Sequence, residues 1–226
     1  MTVFQAWQRP PEPRRADRCA VQLRFKTTLG SLEYVGRKAW RDASLECCPL
    51  HPNGGCSFAR HGTYGRVEPP GTRIPRWYCP EGHRTFSLLA DCFASRLPGS
   101  LTDLERVVVE VEGATSLEAA ADGLRTDDIA LPGAIRWTRR RVDQVHAVLR
   151  VLPALMPDCL CGCQPTVTAL RQWLGVEWVL PWVRDMAAVY LGVLPSPVGF
   201  ASPRLTANHG GQIQHDKGPD PPGGVR

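Results

Sequence analysis

The sequence lacks an apolar run long enough to cross a membrane. Its longest apolar stretch, residues 178–200, is interrupted by Arg184, Asp185 and three prolines, whereas a spanning helix needs about 20 consecutive apolar residues. Residues 1–15 also lack the apolar segment and the small-residue cleavage site of a secretory signal. We therefore expect a cytoplasmic protein with no membrane-spanning helix.

The sequence also lacks the common catalytic motifs. It contains no G-x-S-x-G, no phosphate-binding Walker loop and no H-E-x-x-H. A nuclease needs two or three carboxylates around magnesium, and the available acids crowd one short segment: Glu110, Glu112, Asp122, Asp127 and Asp128. We predict that the chain is not an enzyme and takes no small-molecule substrate. A fragment of a metal-dependent nuclease or transposase is the alternative.

Cysteine, by contrast, is plentiful, with nine residues in the chain. In a chain without a secretion signal, cysteines are expected to be thiols or metal ligands rather than disulfides. Residues 40–100 combine Cys, His, Gly and Pro with short apolar runs. This composition is typical of a small domain in which a metal ion replaces part of the hydrophobic core.

Two short motifs in this region predict a structural zinc site. Cys48 and His51 have C-x2-H spacing, Cys79 and His83 have C-x3-H spacing, and a Pro-Pro-Gly turn lies between two strand-like segments. Zn²⁺ prefers a tetrahedron of Cys and His ligands, and two such pairs joined by a hairpin form a zinc ribbon. Cys56 is a fifth candidate ligand, whereas the neighbouring Cys47 is expected to pack or to stay idle. The alternative is that these are ordinary buried thiols.

The rest of the chain divides by pattern into a basic, largely disordered arm (1–39), the metal domain (40–100), a helical region (101–194) and a disordered tail (195–226). Apolar residues at helical spacing predict a helix from Leu101, capped by Thr102, although the run VVVEV would also suit a strand. Ser116 is expected to cap a second helix. Pro132 is expected to open a third, which stops near Pro153. The sequence does not decide whether a second metal site forms at Cys159, Cys161 and Cys163.

Charge is unevenly distributed along the helical region. Residues 101–135 hold eight acids against two arginines, whereas residues 136–150 hold five arginines against one acid. Clustered arginine is typical of phosphate binding. The alternative is a solvated basic face on a core helix, with Trp137 and Val142 packed inward.

Residues 47–92 resemble the zinc ribbon near the N-terminus of many bacterial insertion-sequence transposases and their small DNA-binding partner proteins. Tyr78-Cys79 and residues 84–89 are similar to the closing knuckle and its strand, Cys48-Pro49 resembles the opening knuckle, and residues 61–65 resemble the strand between them. The family's second closing ligand falls at Gly82. Either the ligand has moved to His83, or Cys48, His51, Cys56 and Cys79 form the site. His51 also stands where a second Cys is usual.

In that family a helix-turn-helix follows the ribbon, and both assist recognition of the ends of the mobile element. Residues 116–124 are similar to the first helix of such a unit, and residues 134–141 resemble a recognition helix. Arginine suits that helix because it binds guanine edges in a bidentate fork and neutralises phosphate.

We therefore expect an α+β protein, in which a small zinc-ribbon β-hairpin domain precedes an all-helical region with a helix-turn-helix-like unit at about 116–150. The expected function is zinc-stabilised DNA binding as a non-catalytic accessory or regulator of a mobile-element system. The expected DNA contacts are Arg66, Arg73, Arg76, Arg136, Arg139, Arg140 and Arg141. The sequence is also compatible with a homodimer or with a protein partner. A protein–protein adaptor that uses the ribbon and the helices carrying Trp173, Trp178 and Trp182 is the rival hypothesis.

Overall fold

A four-stranded mixed sheet forms the first half of the protein in this computed structural model, which describes residues 21–201. Its strands are β1 (Val21–Phe25), β2 (Ala59–Gly65), β3 (Arg73–Cys79) and β4 (Arg84–Ala90). They lie in the order β1–β4–β3–β2, with β1 parallel to β4 and the other neighbours antiparallel. The predicted hairpin on either side of the Pro-Pro-Gly turn is therefore present as β2 and β3.

The second half of the predicted arm belongs to this sheet, so the expectation of a disordered arm is corrected for residues 21–39. Val21 and Leu23 of β1 pack beside Cys48, Cys79 and Phe86, and a short helix, α1 (Ser31–Gly36), follows. Apolar contacts order this segment although its sequence shows no sustained periodicity. Residues 1–20 of the predicted arm lie outside the described residues.

The second half of the protein is helical, so the α+β class is confirmed. Most of its helices contribute to one core of aliphatic side chains, and the long helix of residues 131–155 supplies the largest share of the buried ones. The helices are α2 (Leu101–Gly113), α3 (Leu117–Leu124), α4 (Leu131–Leu155), α5 (Pro157–Leu160), α6 (Val167–Leu174) and α7 (Val179–Met186). Within residues 21–201, no helix combines the length and the apolar character that crossing a membrane requires.

The helix ends agree with the sequence in part. Ser116 caps α3 as predicted, because its side chain accepts from the backbone N–H of Ala119. The predicted Thr102 cap is wrong: Ser100 caps α2 in a capping box with Asp103. α4 begins with Pro132 in its first turn as predicted but runs past Pro153 to Leu155.

Two carboxylates on α2 cap two later helices. Glu105 is fully buried and accepts from the backbone N–H groups of Val179 and Leu180, at the start of α7, and from Arg171. Seven residues further along α2, Glu112 accepts from the backbone N–H groups at the start of α6. The N-terminus of a helix carries unpaired donors and partial positive charge, so an anion there fixes the helix in place.

A buried arginine joins the sheet to the end of the described chain. Arg184 of α7 is fully buried and donates to the carbonyls of Phe93 and Pro197 at 3.0 and 2.7 Å. Its guanidinium lies over the ring of Phe200, and burial lowers its pKa to about 10. Residues 195–201 of the predicted disordered tail are therefore packed on the core, while residues 202–226 lie outside the described residues.

Glu112 makes the stability of the helical half depend on pH. Burial alone would raise its pKa, but hydrogen bonds from His146, Thr168 and the backbone of Val167 lower it to about 2. Because the folded pKa lies below the ordinary value, the stabilisation is fully present above about pH 4.5 and is lost as the pH falls towards 2. We expect Glu112→Gln to lower the free energy of unfolding at pH 7 by about 2 kcal/mol.

The difference between wild type and Glu112→Gln should shrink between pH 4.5 and 2 in urea unfolding followed by circular dichroism. Glu110→Gln is the matched control, since Glu110 is exposed on the same helix and should change stability little at any pH. A difference that stays constant down to pH 2 would contradict this role of Glu112.

Candidate metal centre

Four of the candidate ligands converge at one end of the sheet. The sulfur atoms of Cys48, Cys56 and Cys79 and a ring nitrogen of His51 all lie within 4.8 Å of one another. Cys48 and Cys79 are buried, and the other two are half-buried. Such a group could hold a metal ion.

Two tight turns and the end of one strand position these side chains. The backbone N–H of His51 donates to the carbonyl of Cys48, and the two residues form an isolated antiparallel bridge. Gly54 and Gly55 follow with φ of +83° and +86°, a conformation that favours glycine and that turns the chain back to Cys56. Cys79, the last residue of β3, is supplied from the sheet.

The turn after β3 also contacts the Cys79 sulfur. The backbone N–H of Gly82 lies 3.3 Å from the Cys79 sulfur, so it donates a hydrogen bond to that ligand. A Cβ at position 82 would lie 3.4 Å from the Cys79 sulfur and 2.4 Å from Leu50 Cδ1, so a side chain there would displace the exposed end of Leu50. The carboxylate of Glu81 accepts from the backbone N–H of Ser57 and thus ties this turn to the segment that carries Cys56.

The spacing of the donor atoms fits a tetrahedral ion. His51 Nδ1 lies 3.5 Å from the Cys48 sulfur and 3.4 Å from the Cys79 sulfur. With bonds of about 2.3 Å to sulfur and about 2.0 Å to nitrogen, the sulfur–nitrogen edge of a zinc tetrahedron is about 3.5 Å. The geometry is therefore consistent with structural zinc.

The thiols influence one another's ionisation. Burial tends to raise the pKa of Cys48, but hydrogen bonds from His51, Cys79 and the backbone lower it to about 7. Burial and the neighbouring Cys48 and Cys79 raise the pKa of Cys56 to about 11. A second and third negative charge are therefore unfavourable in this space, and a divalent cation would remove that repulsion.

His83 and Cys47 lie outside the group of four. His83 adopts a left-handed backbone conformation with φ of +46°, and its Nδ1 lies 3.4 Å from the hydroxyl of Tyr78. Cys47 is exposed. Of the two ligand sets that the sequence left open, the structure brings together the one without His83.

The seven arginines expected to contact DNA fall into two groups. Arg66 donates to the carbonyls of Ala94, Leu97 and Gly99, Arg141 is buried against Trp137, and Arg76 is half-buried over the ring of Tyr64. The other four are exposed: Arg73, Arg136, Arg139 and Arg140. The sequence could not reveal the partners of Arg66, since these lie 28 to 33 residues further along the chain.

Within residues 21–201, the remaining thiols form no second group. Cys159 and Cys161 are exposed and Cys163 is half-buried. Among residues 21–201, the cluster of Cys48, His51, Cys56 and Cys79 is the one set of three or more Cys, His, Asp or Glu side chains arranged to share an ion.

Comparisons of this chain with protein-family models, with curated proteins and with solved structures find no match. The resemblance to transposase-type ribbons therefore rests on the residue pattern alone.

Substitution of single ligands tests which residues hold the metal. We expect purified protein to contain about one zinc per chain by inductively coupled plasma mass spectrometry. Cys79→Ser and His51→Ala should release it, because each removes one of four ligands and the remaining three hold the ion weakly.

Two neighbouring positions provide matched controls for this experiment. Cys47→Ser alters the exposed thiol next to Cys48, and His83→Ala alters the histidine outside the group; both should retain full zinc content. Release of zinc from His83→Ala but not from His51→Ala would show that the other ligand set is used. A wild-type protein that is fully folded and free of metal would refute the site.

Proposed function

We propose that this protein is a zinc-stabilised DNA-binding protein of the cytoplasm, and that it acts as a non-catalytic accessory or regulator related to the N-terminal regions of transposases. In this proposal Cys48, His51, Cys56 and Cys79 hold one zinc ion. Zinc supplies a closed tetrahedral link between the 48–56 loop and the end of β3, a structural role that leaves no position for substrate.

The proposal for DNA binding is carried by one observation, a stripe of unpaired arginines on α4. Arg136, Arg139 and Arg140 are exposed, and their spacing of three and four residues places them on the same face of the helix. None of them forms an ion pair with a described carboxylate, whereas five arginines elsewhere do: Arg24, Arg37, Arg106, Arg125 and Arg171. Phosphate groups are the partners that such a stripe fits.

The packing around α4 supports the use of this face. Ala134, Thr138, Arg141, Val142 and Val145 are buried, so the stripe occupies the side turned away from the core. α2, α3 and α4 pack against one another, as the helices around a helix-turn-helix do. The connection between α3 and α4, residues 125–130, is longer than the usual turn of three or four residues. The helix-turn-helix therefore stays a proposal.

The contacts that two expected DNA-binding residues make within the protein reduce the number of arginines in the proposed interface. Arg66 donates to the carbonyl of Ala94, and Arg141 is buried with its guanidinium over the ring of Trp137, so neither is proposed as a principal DNA contact. We propose that Arg136, Arg139 and Arg140 make the principal phosphate and base contacts on α4, with Arg73 as an exposed arginine on the sheet.

Exposed apolar side chains near the C-terminal helices favour the adaptor as a second candidate function. Trp173 is 57% exposed, Val189 84% and Val193 64%. Large exposed apolar groups are typical of protein-binding surfaces. Of the other two tryptophans expected on that surface, Trp178 and Trp182 are only partly exposed, and Trp178 lies between Arg106 and Arg171.

A salt series separates the two candidates. We expect binding of a fluorescently labelled DNA to weaken steeply with salt, because each neutralised phosphate releases counterions. The triple variant Arg136→Ala, Arg139→Ala, Arg140→Ala should lower affinity at least tenfold and should reduce the salt slope by roughly one for each phosphate that is no longer neutralised. Fluorescence anisotropy measures the affinity and the salt slope. The series runs from about 25 to about 200 mM salt, the range in which such binding changes most.

Arg37→Ala is the matched control, since Arg37 is an exposed arginine paired with Glu33 and lies outside α4. It should leave affinity and slope unchanged. Absence of binding at the lowest salt would refute the DNA proposal and favour the adaptor, and cleavage of the DNA on addition of magnesium would overturn the non-catalytic assignment.

A further inference from the structure

A concave pocket lies beside the arginine stripe, between the β2–β3 turn, the segment 96–98 and α4. Its volume is about 300 Å³, and Val67, Glu68, Arg96, Trp137, Arg140 and Arg141 are among the residues that line it. This volume is at the lower end of the range for ligand pockets, which is about 300–1,000 Å³. It suits one small group rather than an extended segment.

The pocket carries a net positive charge. Three arginines and one acidic residue, Glu68, line it. Arg96 and Arg140 are both exposed, and neither takes part in an ion pair among the described residues, although arginines elsewhere in the same range do. A pocket with unpaired guanidinium groups favours an anionic ligand.

The wall of this pocket contains an exposed aromatic side chain that is held in place. Trp137 is 42% exposed, and the Arg141 guanidinium lies 3.7 Å from the centroid of its ring. Arg141 is itself buried and its Nη1 lies 3.4 Å from the Trp137 carbonyl. The indole is therefore fixed by the arginine one turn later and still presents apolar surface to a planar group.

Another residue that lines the pocket, Arg96, has an unfavourable backbone conformation. Arg96 has φ of +58°, a left-handed conformation that is unfavourable for residues with a side chain and that is often found at functional positions. Arg66 stabilises this turn by donating to the carbonyls of Ala94, Leu97 and Gly99. A half-buried arginine thus helps to position the exposed Arg96 of the pocket.

The geometry points to a binding site for one unpaired nucleotide of single-stranded DNA, with the base stacked on Trp137 and its phosphate between Arg96 and Arg140. A base within a duplex is stacked on both sides and cannot reach an indole, whereas an unpaired base can. Arg136 lies one helical turn from Arg140 on the same exposed face, so neighbouring phosphates of a strand also have partners. The inference rests on the proposed DNA binding and specifies the form of DNA recognised.

Affinity for three labelled ligands tests this site: an oligothymidylate, the same strand made of abasic units, and a duplex. Wild type should bind the oligothymidylate about tenfold more tightly than the abasic strand, since stacking of a base on an aromatic side chain contributes about this much. Trp137→Ala should abolish that ratio, while Trp137→Phe should keep most of it. The ratio compares two ligands of the same protein sample, so a partly unfolded variant does not distort it.

Two charge variants provide further readouts of opposite sign. Arg140→Ala should weaken binding and lower the salt slope by about one, whereas Glu68→Gln should strengthen binding, because Glu68 is the carboxylate in the pocket. Arg37→Ala remains the control for an exposed arginine outside the pocket.

The failures of the two proposals are distinguishable. No binding of strand or duplex at low salt refutes DNA binding as a whole. Binding with an equal affinity for thymidylate and abasic strands, or a ratio that survives in Trp137→Ala, refutes the pocket alone. Displacement of the labelled strand by thymidine monophosphate at a lower nucleotide concentration than by unlabelled strand would assign the pocket to a free nucleotide and overturn the assignment to a strand.

Discussion

The close packing of three cysteine thiols with one histidine is the constraint on which one end of the sheet depends. Cys48, Cys56 and Cys79 share a space no more than 4.8 Å across with His51, and the raised pKa of Cys56 reflects the difficulty of adding charge there. The side chains that surround the group belong to β1, β4 and the loop before β2. A cation that neutralises the thiolates would join the 48–56 loop to the end of β3, at a place where the apolar core is small.

The helical half is held together by buried charge of a different kind. Glu105 and Glu112 project from α2 to the N-termini of α7 and α6. Backbone N–H groups that would otherwise be unpaired there donate charge-assisted hydrogen bonds to these carboxylates. Arg184 and Arg66 then connect this half to the sheet through backbone carbonyls. Several arginines are therefore structural, and the residues open to a nucleic acid are fewer than the composition suggests.

The sequence predicted those features that depend on local spacing. The Cys48–His51 turn, the position of Cys79 before a turn, the β2–β3 hairpin and the Ser116 cap all follow from residues within a few positions of one another. It did not predict that residues 21–25 pair with β4, since paired residues of the two strands lie more than 60 positions apart in the sequence. Nor did it predict the role of Glu105, because the helix that this residue caps is formed by residues 179–186.

The sequence also did not predict which arginines are exposed and which are buried. Arg140 and Arg141 are adjacent, yet one is exposed and the other is buried against Trp137, because successive residues on a helix face directions about 100° apart. Which side of α4 faces the core is set by α2 and α3, so the residue pattern of α4 alone left the orientation of Trp137 open.

X-ray absorption at the zinc edge of the purified protein tests the proposed metal centre most directly, since it counts the atoms bound to the metal. With Cys48, His51, Cys56 and Cys79 as ligands, we expect three sulfur atoms at about 2.3 Å and one nitrogen atom at about 2.0 Å. A shell of two sulfur and two nitrogen atoms, or the absence of zinc from the folded protein, would contradict this ligand set.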